Sequence, residues 1–167
     1  MNRRTTLTMA TLATVCLGLA LPAGNAIADQ KGQLTGSWSL VSATVVKDGK
    51  NADLFGANPT GSMTFDAGGH FSVVITRVDV AKFASNNRET GTADENKAAT
   101  QGSIAYFGNY SANEGTASLH IDGSSFPNWR GADQKRTFTV SGDNLNWNNP
   151  TVSTGAGAAT LVWKRIK

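Results

Sequence analysis

Two arginines share the alternating positions of apolar residues in segments that read as β-strands. Arg77 lies at an alternate position in line with three apolar residues, and Arg136 lies at an alternate position in line with two. These apolar residues are Phe71, Val73 and Ile75 in the first segment and Phe138 and Val140 in the second. Because alternate strand residues share a face, both arginines are expected to point inward. A buried guanidinium is costly unless it is paired, and its planar fork suits a carboxylate. The pattern predicts a site for the acidic end of an amphipathic ligand.

Three further residues complete the candidate ligand-binding set of Arg77, Tyr106, His120, Trp129 and Arg136. Tyr106 alternates with Ile104, Gly108 and Tyr110, which indicates one inward face. His120 has the opposite parity to Leu119, so its inward orientation has less support. Trp129 lies in a loop, where it can cover a barrel end or touch a ligand. The alternative is structural: the arginines lie at the barrel ends, or belong to an internal polar network closed by Asp133, Glu114 or backbone groups.

Catalytic and metal chemistry have little support in the sequence. The chain lacks the Gly-x-Ser-x-Gly pattern of α/β-hydrolases, and its two histidines, His70 and His120, have no second ligand at metal spacing. We therefore predict no metal site and no cofactor. Any enzymatic role would rest on His120 or Tyr106 as an acid or base.

Short apolar segments with period-two alternation and intervening turn residues run through most of the chain. They are Ser37 to Val46, Gly61 to Asp66, His70 to Val78, Gly102 to Ser111, Thr116 to Asp122, Gln134 to Val140, Asn144 to Asn148 and Ala159 to Ile166. Regular short strands favour a sandwich or barrel, and closure removes exposed edges. The predicted fold is all-β: a single antiparallel up-and-down barrel of about eight strands, with a short helical insertion.

The insertion runs from Asp79 to Thr100 and lacks strand alternation. Thr92 and Glu95 have the spacing of a capping box, which predicts a helix starting there, and Asp79 is expected to cap a separate turn. A loop without helices is the alternative, because helices this short are marginal alone. Because long insertions are often functional, the more specific hypothesis is that this insertion forms a lid over the barrel mouth.

The first 28 residues have the features of a signal peptide. Arg3 and Arg4 precede an apolar stretch that is too short to span a membrane, and Ala26-Ile27-Ala28 supplies a cleavage pattern. We expect residues 29–167 to form one exported domain, periplasmic or secreted, with no transmembrane segment in the mature chain. The Arg pair also fits twin-arginine export, although Thr6 stands where that signal prefers Phe.

Removal of this segment changes both charge and cysteine content. Lys plus Arg falls from 15 to 13 against 12 Asp plus Glu, so the mature net charge is +1. The remaining basic residues are scattered, which argues against a nucleic-acid partner. Cys16, the only cysteine, lies in the removed segment, so the mature chain has no disulfide.

A series of motifs resembles the bacterial and fungal lipocalin-like domain family, whose members are small calycin-like β-barrels. The motifs are Leu34 to Ser42 with Gly36-x-Trp38, Pro59-Thr60-Gly61, Gly102 to Tyr110, Leu119-His120-Ile121, Pro127 to Gly131, Lys135 to Phe138, Gly142 to Leu145 and Leu161 to Arg165. The resemblance covers nearly all of the mature chain. It implies a barrel closed by Trp38 and Trp163, with Arg165 stacked on Trp38 as in lipocalins.

The chain departs from the family pattern at two places. Ile121 stands where the family tends to have a second histidine after His120, and residues 148–158 are unusually rich in Asn, Gly and Thr. The first departure puts in doubt any chemistry that needs paired histidines. The family implies fold more directly than activity.

Three functions are consistent with these features. The favoured one is binding of a small hydrophobic or amphipathic molecule within the barrel. The second is an isomerase or cyclase that uses the barrel as a chamber for a hydrophobic substrate. The third is a solid barrel that acts through its outer surface. The sequence leaves the ligand and the oligomeric state open.

Overall fold

The chain folds into a closed antiparallel barrel of eight strands, as the alternation predicted. The computed structural model describes residues 30–47 and 49–167, and the predicted signal peptide, residues 1–28, lies outside them. The strands are β1 (Gly36–Lys47), β2 (Lys50–Asp53), β3 (Thr60–Phe65), β4 (His70–Thr76), β5 (Ser103–Asn113), β6 (Thr116–Ser124), β7 (Asp133–Ser141), β8 (Asn144–Asn149) and β9 (Ala159–Arg165). The short β2 pairs only with the end of β1 and is additional to the barrel.

The first and last strands close the barrel. From β3 to β9 each strand pairs with its neighbour in sequence, and β1 pairs with both β3 and β9. The β1–β9 register runs from Trp38 opposite Arg165 to Val45 opposite Ala159, with a bulge near Leu40. Closure gives each of the eight barrel strands a pairing partner on both sides, which protects the sheet from pairing with another chain.

Alternate residues fill the interior, and the alternation in β4 and β5 explains why the strands were predictable from sequence. The largest fully buried side chains are Trp38, Trp147, Trp163, Phe65, Leu34, Met63, Ile75, Leu119, Ile121, Leu145 and Val73. Phe65 contacts the rings of Tyr110 and Trp147 at centroid distances of 4.8 and 5.5 Å. The interior is therefore a packed aromatic core over most of its length.

The two ends of the barrel differ. At one end the strands are joined by tight turns, such as Glu114-Gly115, where φ is 50° and 69°. Two successive positive φ values are what a two-residue hairpin turn of type I′ requires. At the other end four longer segments, residues 54–59, 77–102, 125–132 and 150–158, connect the strands. We call this second end the mouth.

The end opposite the mouth is closed by the unit that the family resemblance implied. The Arg165 guanidinium lies 4.0 Å from the centre of the Trp38 ring and donates hydrogen bonds to the backbone carbonyls of Thr35 and Gln33, each 2.7 Å long. The Trp38 indole donates to the carbonyl of Leu34 at 2.8 Å. Residues 30–34 form a helical turn, α1, which Trp38 and Arg165 hold against the barrel.

The insertion contains the predicted helix but not the predicted turn at Asp79. Helix α2 (Ala93–Gln101) begins with a capping box between Thr92 and Glu95. The Glu95 carboxylate also accepts the backbone N–H of Ala84 at 2.7 Å, which ties the preceding segment to the helix. The chain at Asp79 is irregular, because its carboxylate pairs with Arg77 instead of capping a helix. No helix in the described part has the length and apolar character needed to cross a membrane.

Candidate functional site

Arg136 points into the barrel near the mouth, as its parity predicted. Its side chain belongs to β7, and the residue is 2% exposed. One terminal nitrogen donates to the carbonyl of Lys135 at 2.9 Å, and the other donates to the side-chain oxygen of Gln134. The Nε–H finds no hydrogen-bond partner among the described residues.

This arginine has no carboxylate partner in residues 30–47 and 49–167. The two acids considered from sequence do not supply one: Asp133 pairs with His120, and Glu114, in the β5–β6 turn, forms no ion pair with Arg136 in the described part of the chain. Burial lowers the pKa of Arg136, since the low-dielectric interior disfavours its charged form. A buried guanidinium without an anionic partner is costly, and an anion bound at this site would offset that cost.

Tyr106 and Trp129 lie beside Arg136 and form one cluster with it. The Tyr106 ring meets the Trp129 ring edge-on at a centroid distance of 5.3 Å, and the Arg136 guanidinium lies 5.9 Å from the centre of the Trp129 ring. Burial raises the pKa of Tyr106, while the positive charge of Arg136 acts in the opposite direction. The phenol is therefore protonated at neutral pH and can serve as a hydrogen-bond donor.

The loop between β6 and β7 places Trp129. A single 3₁₀ turn, Pro127–Trp129, begins with proline, whose fixed φ suits the first position of a turn. The Phe126 ring meets the indole edge-on at a centroid distance of 5.8 Å. Three of the five predicted site residues, Tyr106, Trp129 and Arg136, thus lie together at the mouth.

Arg77 is not in this cluster, and the inward orientation expected from parity is not what the structure shows. Strand β4 ends at Thr76, so the alternation that orients β4 side chains stops one residue earlier. The Arg77 side chain is 39% exposed and makes two hydrogen bonds to Asp79, at 2.8 and 2.6 Å. It connects the start of the insertion to the loop at Gly56, whose Cα faces the guanidinium.

His120 also lies apart, on the outer surface of the barrel. Its ring is 2.7 Å from Asp133 and 3.8 Å from Asp122, and its side chain is 51% exposed. The hydrogen bond to Asp133 raises the pKa of His120. This orientation places the His120 ring on the outer surface and not in the barrel interior, where an acid–base role was considered from sequence.

A small cavity lies beneath the mouth. It measures about 30 Å³ and is lined by Leu54, Phe55, Ile75, Ile104, Tyr106, Trp129, Trp147, Asn149, Val152, Ser153 and Leu161. This is room for a water molecule, well below the roughly 300 Å³ of an ordinary ligand pocket. Side chains thus fill the interior, and space for a ligand is found at the mouth.

The described residues form several open depressions at the mouth, and two of them bear on the lid hypothesis and on the ligand site. A groove of about 550 Å³ has the last turn of α2 on one side and Phe126 and Pro127 on the other. Helix α2 borders this groove and has no buried residue, so it does not cover the mouth as the lid hypothesis expected. A second depression of about 260 Å³ lies directly over Arg136 and Trp129.

The sequence reasoning did not single out several of the residues that line the small cavity. Phe55 and Val152 come from irregular loops, where no alternation indicates burial. Trp147 and Asn149 extend the alternation of Leu145 in β8, and that signal could have found them. No group of His, Asp and Glu side chains in the described part is arranged to hold a metal ion.

Comparison with protein families agrees with the geometry of the barrel. The family model described as a lipocalin-like domain matches residues 35–166, which span the barrel from before β1 to the end of β9. A search of curated proteins gives no match. With the closed eight-stranded barrel and the Trp38–Arg165 unit, this match establishes that the chain belongs to the lipocalin-like domain family.

Proposed function

We propose that this protein binds a small amphipathic acid at the mouth of its barrel, outside the cytoplasm. The observation that carries the proposal is Arg136, a buried guanidinium without a carboxylate partner among the described residues. The lipocalin-like fold is compatible with a ligand at this end of the barrel. The extracytoplasmic location rests on the signal-like residues 1–28 alone.

The cluster offers complementary partners for such a ligand. Arg136 provides the positive charge, and its Nε–H is an unused donor. The protonated Tyr106 hydroxyl is a second donor, and the rings of Tyr106 and Trp129 provide apolar contact. An acid bound here would neutralise the buried charge and so remove the cost of its isolation.

Calorimetric titration of wild type and Arg136→Met with matched acids and alcohols tests the proposal. Octanoic acid and octanol have the same alkyl chain, and benzoic acid and benzyl alcohol have the same ring. Each pair therefore isolates the contribution of the acid group. Truncating an arginine that pairs with a buried carboxylate costs about 2–5 kcal/mol, which is roughly 30-fold or more in Kd. We expect Arg136→Met to lose acid binding by this factor and to bind the alcohols as wild type does.

Arg88→Met is the matched control, because it makes the same substitution at an exposed position of the insertion. It should leave every titration unchanged. Thermal melting distinguishes the structural alternative: if Arg136 serves an internal network, Arg136→Met lowers the melting temperature and leaves binding unchanged. Absence of saturable binding for all acids would reject the proposed function.

A further inference from the structure

The barrel wall is incomplete beside Arg136. The β7–β8 register begins at Thr137 opposite Asn148, so β7 residues before Thr137 pair only with β6. Pro150 follows β8 and has no N–H to continue the ladder. The Asn149 side chain accepts the backbone N–H of Thr151 at 3.2 Å, which turns the chain away from β7. A gap therefore opens in the side of the barrel.

The depression of about 260 Å³ lies at this gap. It is lined by Trp129, Gln134, Lys135, Arg136, Pro150 and Thr151. Two of its lining residues are cations, and neither Lys135 nor Arg136 forms an ion pair with an acid in the described part of the chain. Adjacent positive charges without an acidic partner create a positive potential that attracts an anion from solvent.

Trp129 is the partition between this depression and the interior. It lines both the depression and the cavity of about 30 Å³ beneath the mouth. Tyr106 contacts its ring on the cavity side, and Arg136 lies over the ring on the depression side. A displacement of this one indole would join the two spaces, with Arg136 at the junction.

The joined space suits a compact ligand. A cavity of roughly 150 Å³ takes up benzene, so a single ring fits the depression and the cavity together. Beyond the cavity the barrel is closed by Ile75 and Trp147, each about 2% exposed. Among the described residues, these side chains block a long acyl chain from entering the core.

We propose that the acid reaches Arg136 from the side of the barrel, through the gap between β7 and the β8–β9 loop, and that it is a compact acid with one ring or a short branched chain. Lys135 attracts the acid group at the rim, Arg136 binds it, and Trp129 moves aside for the apolar part. This inference rests on the proposed function, because it assigns the class and route of the same ligand.

Stopped-flow and calorimetric titrations with benzoate, its neutral analogue benzamide, and decanoate test the class and the route. Wild type should bind benzoate at least tenfold more tightly than decanoate and should not bind benzamide. Lys135→Gln should slow benzoate association severalfold at low salt and less at high salt, because rim charges act mainly on the association rate. Lys164→Gln, at an exposed site on β9, is the matched control and should leave the rate unchanged.

Two further variants test the gap and the partition. Thr151→Trp fills the rim of the depression and should slow benzoate association, whereas Trp129→Ala enlarges the joined space and should admit 2-naphthoate, which wild type excludes. Two results would overturn this inference and leave the proposed function standing, provided that binding still depends on Arg136. The first is a preference for decanoate over benzoate. The second is an association rate that neither Lys135→Gln nor Thr151→Trp changes. If no acid binds to wild type, both fail.

Discussion

Replacement of Trp38 by alanine tests the closing unit of the barrel. The side chain is fully buried, its indole donates to the Leu34 carbonyl at 2.8 Å, and the Arg165 guanidinium lies 4.0 Å from its ring centre. Removing a large buried aromatic costs about 3–5 kcal/mol. The lost hydrogen bond adds about 1 kcal/mol. Trp38→Ala should therefore lower the free energy of unfolding by about 4–6 kcal/mol.

This loss is large compared with the total stability of an ordinary domain, about 5–15 kcal/mol. At roughly 3 °C per kcal/mol, the melting temperature should fall by more than about 10 °C. Urea denaturation followed by circular dichroism measures the change directly. Val46→Ala on the same strand is the control, since Val46 is 59% exposed and its truncation should change stability by less than about 0.5 kcal/mol.

A double-mutant cycle with Arg165→Met separates the stacking from simple burial. Coupling between Trp38 and Arg165 should be about 0.5–2 kcal/mol, the range for a cation over an aromatic face. An unchanged urea midpoint in Trp38→Ala would refute the closing role. Zero coupling would show that Arg165 acts only through its hydrogen bonds to the backbone of α1 and the residue after it.

Four further outcomes are expected. Gly108→Ala places a Cβ 2.0 Å from the carbonyl oxygen of His120 and should destabilise the protein by about 1–3 kcal/mol or more in thermal melts. Asp133→Asn should lower the His120 pKa toward 6.5 in an NMR titration, because the Asp133 hydrogen bond is the main cause that raises it. Because the pKa of His120 is raised in the folded state, its ion pair with Asp133 stabilises the fold below about pH 6.5, and this stabilisation is lost as the pH rises through the folded-state pKa. Asp133→Asn should therefore also make the free energy of unfolding less dependent on pH in this range. Glu95→Gln should speed hydrogen exchange in the insertion, since the carboxylate accepts backbone N–H groups from two segments, while the global melting temperature stays unchanged. The intact mass of the exported protein should match a chain that starts at Asp29, and an uncleaved product would contradict the predicted signal peptide.

The strands were predictable because each barrel strand has one buried and one solvated face. Alternation in β4, β5 and β7 follows directly from that geometry, and it oriented Tyr106 and Arg136 correctly. The same reasoning failed for Arg77 because parity holds only within a strand, and Thr76 is the last residue of β4. An Asp two residues beyond an Arg at a strand end is the signal that could have indicated local pairing.

The mouth was less predictable than the barrel wall. Residues 54–59 and 150–158 have no period, so the burial of Phe55 and Val152 depends on contacts between loops distant in sequence. The volume left inside the barrel depends on how rings interlock, which alternation does not encode. Trp129 could be placed near the mouth from its loop, but its contacts with both Tyr106 and Arg136 required coordinates.

The strands that close the barrel come from the two ends of the domain. Ser39 in β1 and Lys164 in β9 are hydrogen-bonded although they are 125 positions apart. Until the last strand has been synthesised, β1 and β8 each have an unpaired edge, and Trp38 lacks its arginine. Contacts between such distant segments form slowly. The barrel of a nascent chain therefore cannot close until β9 has been synthesised, and a product truncated before β9 keeps unpaired strand edges on β1 and β8.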